Sequence, residues 1–160
     1  MSGYSGTPLA QKLGIRAGSR VYLHGAPQQY ARLVAPLPPG VELVARLDAD
    51  TDIVHIFAVR RAALRAALRA ALRAALRQML KHLRPDAAVW VSWPKKASGV
   101  ATDITEDVIR ELALPLTLVD IKVCAVDEVW SGLKLVIRRS ARTVVAPRQR
   151  TRALLRAKPA

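Results

Sequence analysis

The sequence predicts an α/β fold, a three-layer sandwich around a mostly parallel six-stranded sheet. Short runs rich in valine, isoleucine and leucine alternate with helix-forming segments, a pattern typical of strand–helix–strand units with right-handed crossovers. The run at 52–59 is almost continuously apolar, as expected for a central strand covered on both faces. A short predicted turn at 127–132 joins the last two strands, so the final strand is expected to be antiparallel.

The predicted strands are short apolar segments bounded by glycine, proline or charged residues. In chain order they are 20–24, 41–46, 52–59, 87–93, 118–126 and 133–137. A short helix at 28–35 connects the first two strands, and the proline-rich segment at 36–40 stops it.

Four tandem copies of Arg-Ala-Ala-Leu, from Arg61 to Leu76, predict a long helix over about 60–83, because these residue types are strong helix formers. A four-residue repeat drifts relative to the helical turn of about 3.6 residues, so the leucines wind around the helix. The arginines form either the solvated face of a crossover helix or a ridge that binds phosphates or a partner. Both interpretations stay open at this point.

The segment Asp-Ile-Thr-Glu at 103–106 predicts the start of another helix. It matches a capping box in which Asp103 is the cap, and the helix is expected to run to about Ala113, before Pro115. Helix capping explains Asp103 and Glu106 with fewer assumptions than a catalytic acid–base pair.

The net charge of +14 is concentrated in two segments. Residues 60–84 and 138–160 each carry eight basic residues and no acidic residue, so the rest of the chain is close to neutral. We expect one domain over 1–139, with an N-terminal arm over 1–18, and a basic, disordered tail over 140–160. Nucleic-acid binding through the helix and the tail stays open, although no aromatic residues are interleaved with these arginines for base stacking.

Several classes of protein are disfavoured by the composition. No apolar run reaches the roughly 20 residues of a membrane span, and the N-terminus lacks the basic and apolar regions of a secretory signal. The single cysteine, Cys124, excludes an internal disulfide, and the three histidines are not spaced as zinc ligands. These features indicate a cytoplasmic protein without a membrane partner or a metal site.

A candidate binding site follows the strand at 87–93, which ends in a loop with two lysines before the next helix. Ligands of open α/β sheets bind at the carboxyl ends of the strands, and the turn at 127–132 is expected at the same rim. Ammonium groups and unpaired backbone N–H groups both attract negative charge, so the pattern favours an anion. The predicted ligand-binding residues are Trp93, Lys95, Lys96, Ser98, Gly99, Trp130 and Ser131.

The competing interpretation of this site is structural: solvated lysines and tryptophans that only pack. No catalytic residue is predicted. Ser98 lacks the glycine elbow of a nucleophilic serine and has no histidine placed to activate it, and Cys124 lies within a predicted strand as a buried thiol.

The segment from 52 to 137 resembles the second half of class I S-adenosylmethionine-dependent methyltransferases. The resemblance rests on an Asp-Ile-Val strand, a following helix, a Leu-Arg-Pro-Asp turn at 83–86 and a terminal antiparallel hairpin. It implies a Rossmann-like sheet of order 2-1-3-4-6-5 with a shortened methyltransferase-like topology, and S-adenosylmethionine as the cofactor to test. The chain departs from that pattern in the turn at 24–29, which has one glycine and a proline, and near Asp48, the nearest acid after the second strand.

The chain also resembles a bacterial family of unknown function, the DUF family numbered 3052. The residues that carry this resemblance lie at 4–9, 12–15, 90–103 and 119–135. The resemblance implies a cytoplasmic bacterial protein and supplies no activity. Three hypotheses remain: a non-catalytic or degenerate domain that binds a small anion or a partner, a methyltransferase relative with an altered cofactor loop, and a nucleic-acid-associated protein.

Overall fold

The computed structural model describes residues 6–48, 50–82 and 88–138. Within them, the strands are β1 Arg20–His24, β2 Glu42–Val44, β3 Ile53–Phe57, β4 Ala88–Pro94, β5 Leu118–Ala125 and β6 Trp130–Ile137. The α-helices are α1 Leu9–Lys12, α2 Tyr30–Leu33, α3 Arg61–His82 and α4 Glu106–Ala113, with 3-10 turns at Lys96–Ser98 and Leu114–Leu116. The predicted tail over 140–160 and the first five residues of the predicted arm lie outside the described residues.

The six strands form one sheet of order β2-β1-β3-β4-β6-β5. Strands β1 to β4 pair in parallel, and β6 pairs antiparallel with both β4 and β5. This topology confirms the predicted fold, including the antiparallel final strand. The strand order reverses between β1 and β3, which makes their carboxyl ends the switch point of the sheet.

Helices cover both faces of the sheet, as the predicted sandwich requires. On one face, which we call the α3/α4 face, Val89, Val91 and Trp93 of β4 share a buried cluster with residues of α3 and α4. On the opposite α1/α2 face, Ala88 and Trp90 of the same strand share a cluster with residues of α1 and α2. The alternation follows from the pleat, because successive side chains of a strand point to opposite faces.

The predicted arm over 1–18 is in part packed against the sheet. Leu9 and Leu13 are buried, and the indole N–H of Trp90 donates to the backbone oxygen of Leu13 at 3.0 Å. This bond satisfies the one polar group of a fully buried side chain, and it anchors the segment around α1 to the central strand β4.

The hairpin between β5 and β6 is tighter than predicted, because β6 begins at Trp130 and not at Leu133. The Asp127 carboxylate accepts the backbone N–H groups of Val129 and Trp130, at 2.8 and 2.7 Å. These two bonds close the turn early, so Trp130 and Ser131 belong to the strand.

Helix α4 is not capped by Asp103, which corrects the capping-box prediction. Thr105 is the cap, and its hydroxyl accepts the N–H of Val108 at 3.2 Å. Asp103 instead accepts the backbone N–H of Arg61, the first residue of α3, at 2.6 Å. It therefore supplies a carboxylate to the positive end of a helix whose own first turn has no acid.

The described residues contain neither a membrane-spanning helix nor a metal-binding cluster. No helix there combines the length and the apolar character needed to cross a membrane. Across the same ranges, no three side chains of the histidine, cysteine, aspartate and glutamate types are grouped as metal ligands would be.

Candidate functional site at the carboxyl rim

The loop after β4 and the start of β6 meet at the carboxyl rim of the sheet. Trp93 is the register partner of Ser131, and Pro94 is the partner of Trp130. One residue further, the Lys95 N–H donates to the backbone oxygen of Val129 at 2.7 Å. The structure thus brings together the two segments that contain the predicted ligand-binding residues.

The two tryptophans of the predicted site lie on opposite faces of the sheet. Trp93 is buried in the cluster of the α3/α4 face, whereas Trp130 packs on the α1/α2 face. There the Trp130 ring meets Phe57 edge to face, with centroids 5.0 Å apart. Because Trp130 pairs with Pro94 and not with Trp93, the pleat separates the two indoles, and they do not line one pocket.

Two other predicted residues shape the loop itself. The Ser98 hydroxyl donates to the Lys95 backbone oxygen at 2.6 Å and accepts the N–H of Val100 at 3.2 Å. Gly99 has a φ of 77°, a left-handed conformation that favours glycine. Both residues are thereby accounted for by the turn that presents the lysines.

A groove of about 540 Å³ opens beside this loop on the α3/α4 face. Its size lies within the range of about 300–1,000 Å³ that small-molecule sites occupy. It is lined by Trp93, Pro94, Lys96, Thr102, Ile104, Thr105, Glu106, Asp107 and Arg110.

The charge of Arg110 is already compensated within this groove. Its guanidinium donates to Glu106 at 2.9 Å, to Asp107 at 3.0 Å and to Asp120 at 3.0 Å. The bond to Asp120 is the main cause of a raised Arg110 pKa, so the guanidinium stays protonated. Lys96, in contrast, forms no ion pair with a carboxylate of the described residues, and the same is true of neighbouring Lys95.

The turn after β1, at the switch point, packs directly against the end of β3. Gly25 has a φ of 69°, and a Cβ atom there would lie 2.7 Å from the backbone oxygen of Phe57. The absence of a side chain at Gly25 therefore allows this close contact with β3. The helix that follows, α2, has four residues and no side-chain cap, so it offers no extended phosphate-binding terminus.

Asp48 lies at the opposite rim from the one that a cofactor-binding acid would occupy. Its carboxylate is 2.8 Å from the guanidinium of Arg20, the first residue of β1. The chain must return to the amino end of the sheet before it can start β3 parallel to β1, and Asp48 lies on this return. Together with the Gly25 turn, this placement means that the rim residues do not fit S-adenosylmethionine.

A buried group of three hydrogen-bonded side chains, Tyr30, His55 and Ser92, lies beneath the rim. It was not among the residues predicted from the sequence. The His55 Nδ1 atom is 2.9 Å from the Tyr30 hydroxyl, and Nε2 is 2.7 Å from the Ser92 hydroxyl. His55 and Ser92 are fully buried and Tyr30 is 2% exposed. Burial lowers the pKa of His55 to about 3 and raises the pKa of Tyr30, so both groups stay neutral near pH 7.

The hydrogen-bonded group of Tyr30, His55 and Ser92 contains the residue types of a catalytic serine–histidine pair, but solvent does not reach it. A neutral imidazole offers one donor and one acceptor, which the two hydroxyls match. The Phe57 ring stacks on His55 with centroids 4.3 Å apart, which adds to the burial of the imidazole. The three side chains therefore join α2 to β3 and β4 and present no nucleophile to solvent.

The comparisons with known proteins add little to this geometry. No family model matches the chain, and no curated protein matches it. Among solved structures, it is similar to a protein in the NADB-Rossmann superfamily from Streptococcus agalactiae, with 12% identity and a TM-score of 0.47. The similarity covers 82% of this chain and 68% of that chain. The sheet order itself defines the class of protein, an α/β protein with a Rossmann-like fold.

Proposed function

We propose that this chain is a Rossmann-like binding domain without catalysis of its own, and that its rim holds a small anion through Lys95 and Lys96. The observation that carries the proposal is that the other polar groups of the rim are engaged within the fold. Asp103 caps α3, Asp127 closes the hairpin and three carboxylates surround Arg110.

The two lysines suit an anion for a physical reason. An ammonium group is a compact charge on a flexible stem, and here neither lysine forms an ion pair with a described carboxylate. Glu106 and Asp107 of α4 also line the groove, and their negative charge would repel an anionic ligand that extended toward α4. A compact anion such as phosphate fits these constraints better than a nucleotide cofactor does.

The finer expectations from the sequence belong to the same proposal. They are a methyltransferase-like ancestry, membership of the bacterial DUF family numbered 3052, a cytoplasmic location, and one domain over 1–139 followed by a basic tail. A protein partner in place of the small anion, and a methyltransferase relative with an altered cofactor loop, are the alternatives that the experiment separates.

The experiment measures the melting temperature of the full chain with inorganic phosphate, S-adenosylmethionine or its demethylated product. A ligand at ten times its Kd stabilises the fold by about 1.4 kcal/mol, or about 3–6 °C for a chain of this size. We expect a shift with phosphate that K95A/K96A abolishes and R32A, an exposed control on α2, retains. The general stabilising effect of phosphate acts on every variant alike, so the difference between variants is the result.

A shift with S-adenosylmethionine in both wild type and K95A/K96A would favour the methyltransferase alternative. Native mass spectrometry of freshly purified protein completes the test, because a co-purifying small molecule and a bound protein differ in mass. A bound protein without any phosphate effect would favour the partner alternative.

A further inference from the structure

A second groove lies between α3 and α4, and it differs from the rim groove in being lined mainly by arginines and apolar residues. Its volume is about 170 Å³. It is lined by Arg61, Arg65, Leu68, Arg69, Glu111, Leu112, Pro115 and Leu116. We propose that this groove docks an acidic, leucine-bearing segment of a partner protein.

The arginines of this groove are not all engaged within the fold. Arg61 pairs with Glu111 at 3.4 Å. Arg65 and Arg69 are exposed, and no carboxylate in the described ranges lies within ion-pair distance of either. Like charges four residues apart on a helix repel, so a partner with carboxylates at matching positions relieves an unfavourable interaction. Guanidinium groups also bind carboxylates in a planar, two-bond geometry.

The floor of the groove is apolar. Leu68 and Leu112 are buried beneath it, and Pro115 and Leu116 complete its wall. Leu114, in the same turn, is 53% exposed, which extends the apolar surface beyond the groove. Charged groups above an apolar slot match a segment that carries both carboxylates and an aliphatic anchor.

The small volume of the groove favours one side chain of a peptide over a small-molecule ligand. At about 30 Å³ per water, it holds roughly six waters, well below the 300–1,000 Å³ of small-molecule sites. That space suits a single aliphatic side chain, with the rest of the partner lying across the surface.

The chemistry of the groove also favours a peptide over RNA. Among its described lining residues none is aromatic, so base stacking has no partner, and an apolar floor gives a phosphate nothing to bind. An aliphatic side chain of a peptide, in contrast, can pack on this floor while its neighbouring carboxylates reach Arg65 and Arg69.

The test measures fluorescence anisotropy of labelled probes titrated with the full chain. The main probe is a twelve-residue peptide made of three copies of Glu-Leu-Leu-Glu; the comparison probes are its leucine-to-serine version and a twelve-nucleotide single-stranded RNA. We expect the leucine peptide to bind more tightly than either comparison probe. We also expect about tenfold weaker binding to R65E/R69E, as two exposed ion pairs would give.

Matched variants control for charge and for folding. R32E/R46E has the same net charge change on other exposed residues, and it is expected to bind the peptide as wild type does. R65A/R69A keeps strong helix formers in α3 and is expected to weaken binding in the same direction. K95A/K96A is expected to leave peptide binding unchanged, which separates this groove from the proposed rim site.

Three results would overturn the proposal. They are equal binding of the leucine and serine peptides, equal weakening by R65E/R69E and R32E/R46E, and tighter binding of RNA with the same dependence on Arg65 and Arg69. The last result would assign the surface to nucleic acid.

Discussion

The carboxyl rim and the exposed side of α3 both carry many polar groups, but they use them differently. At the rim, Asp103 and Asp127 accept backbone N–H groups, and the Thr102 hydroxyl donates to the Val59 backbone oxygen at 2.6 Å. Along α3, Arg65 and Arg69 make no ion pair within the described part of the chain. Polar groups that hold loops together are poor candidates for ligand binding, and groups that hold nothing are better ones.

This difference predicts a gradient of mutational effects on stability. Substitutions of rim residues that make contacts within the fold, or of residues beneath the rim, are expected to destabilise the protein, whereas substitutions on the exposed side of α3, like those of Lys95 and Lys96, are not. Four predictions follow that gradient from the largest effect to the smallest.

Gly25→Ala is expected to have the largest effect. The new Cβ would lie 2.7 Å from the Phe57 backbone oxygen, at a φ of 69° that disfavours alanine. Strain and overpacking together amount to about 2–4 kcal/mol of unfolding free energy, measured by urea denaturation. Gly99→Ala is the matched control, because its φ is 77° but nothing lies within 4 Å, so about 1–2 kcal/mol is expected. Equal losses in the two variants would contradict the close contact at the switch point.

The buried His55 is expected to make stability depend on pH. Burial lowers its pKa from 6.5 to about 3, so between these pH values the unfolded chain binds a proton that the folded chain does not. Stability is therefore full above pH 6.5 and decreases as the pH falls, by about 2–3 kcal/mol at pH 4.5. The difference between wild type and His55→Gln across pH 4.5–8 isolates this effect from the carboxylates, and identical profiles would show that His55 is accessible to protons in the fold.

Asp103→Ala is expected to cost about 1 kcal/mol, because α3 loses the carboxylate that accepts its first N–H. Asp103→Asn keeps an acceptor at the same position and is expected to retain most of the stability. Thermal denaturation of both variants gives the comparison. If the asparagine variant loses as much as the alanine variant, the cap is not the source of the effect.

Arg65→Ala is expected to have the smallest effect, a change within about 0.5 kcal/mol and in the stabilising direction. It removes a like-charge repulsion and introduces the best helix former. The same thermal assay applies. A loss above about 1 kcal/mol would mean that Arg65 holds a structural contact, and the contrast between the two regions would fail.

The sheet could be predicted from the sequence because its signals are local. Alternating apolar runs and helix formers specify the order of elements, and the bounds of β1 match the prediction. The ends of β6 and α4 differ because they depend on particular hydrogen bonds. The Asp127 carboxylate closes the hairpin, and Asp103 serves a helix 42 residues earlier in the chain. No local pattern signals a cap between such distant residues.

The candidate site was predictable only in part. Chain direction placed the loop after β4 and the hairpin at one rim, but the face that each tryptophan occupies depends on where β6 begins. One feature of the sequence could have indicated the hydrogen-bonded group of Tyr30, His55 and Ser92: a histidine and a serine lie inside otherwise apolar strands. Whether His55 can reach Ser92 depends on the register between β3 and β4. That register pairs Ser92 with Phe57, two residues after His55 on the same strand.

We propose that the rim holds a compact anion such as phosphate and not a nucleotide-type cofactor. Isothermal titration calorimetry of the full chain with inorganic phosphate and with S-adenosylmethionine distinguishes these two kinds of ligand. We predict saturable heat with phosphate that disappears in K95A/K96A, and no saturable heat with S-adenosylmethionine up to millimolar concentration. Saturable binding of S-adenosylmethionine, with no saturable binding of phosphate, would rule out the proposed anion site at this rim.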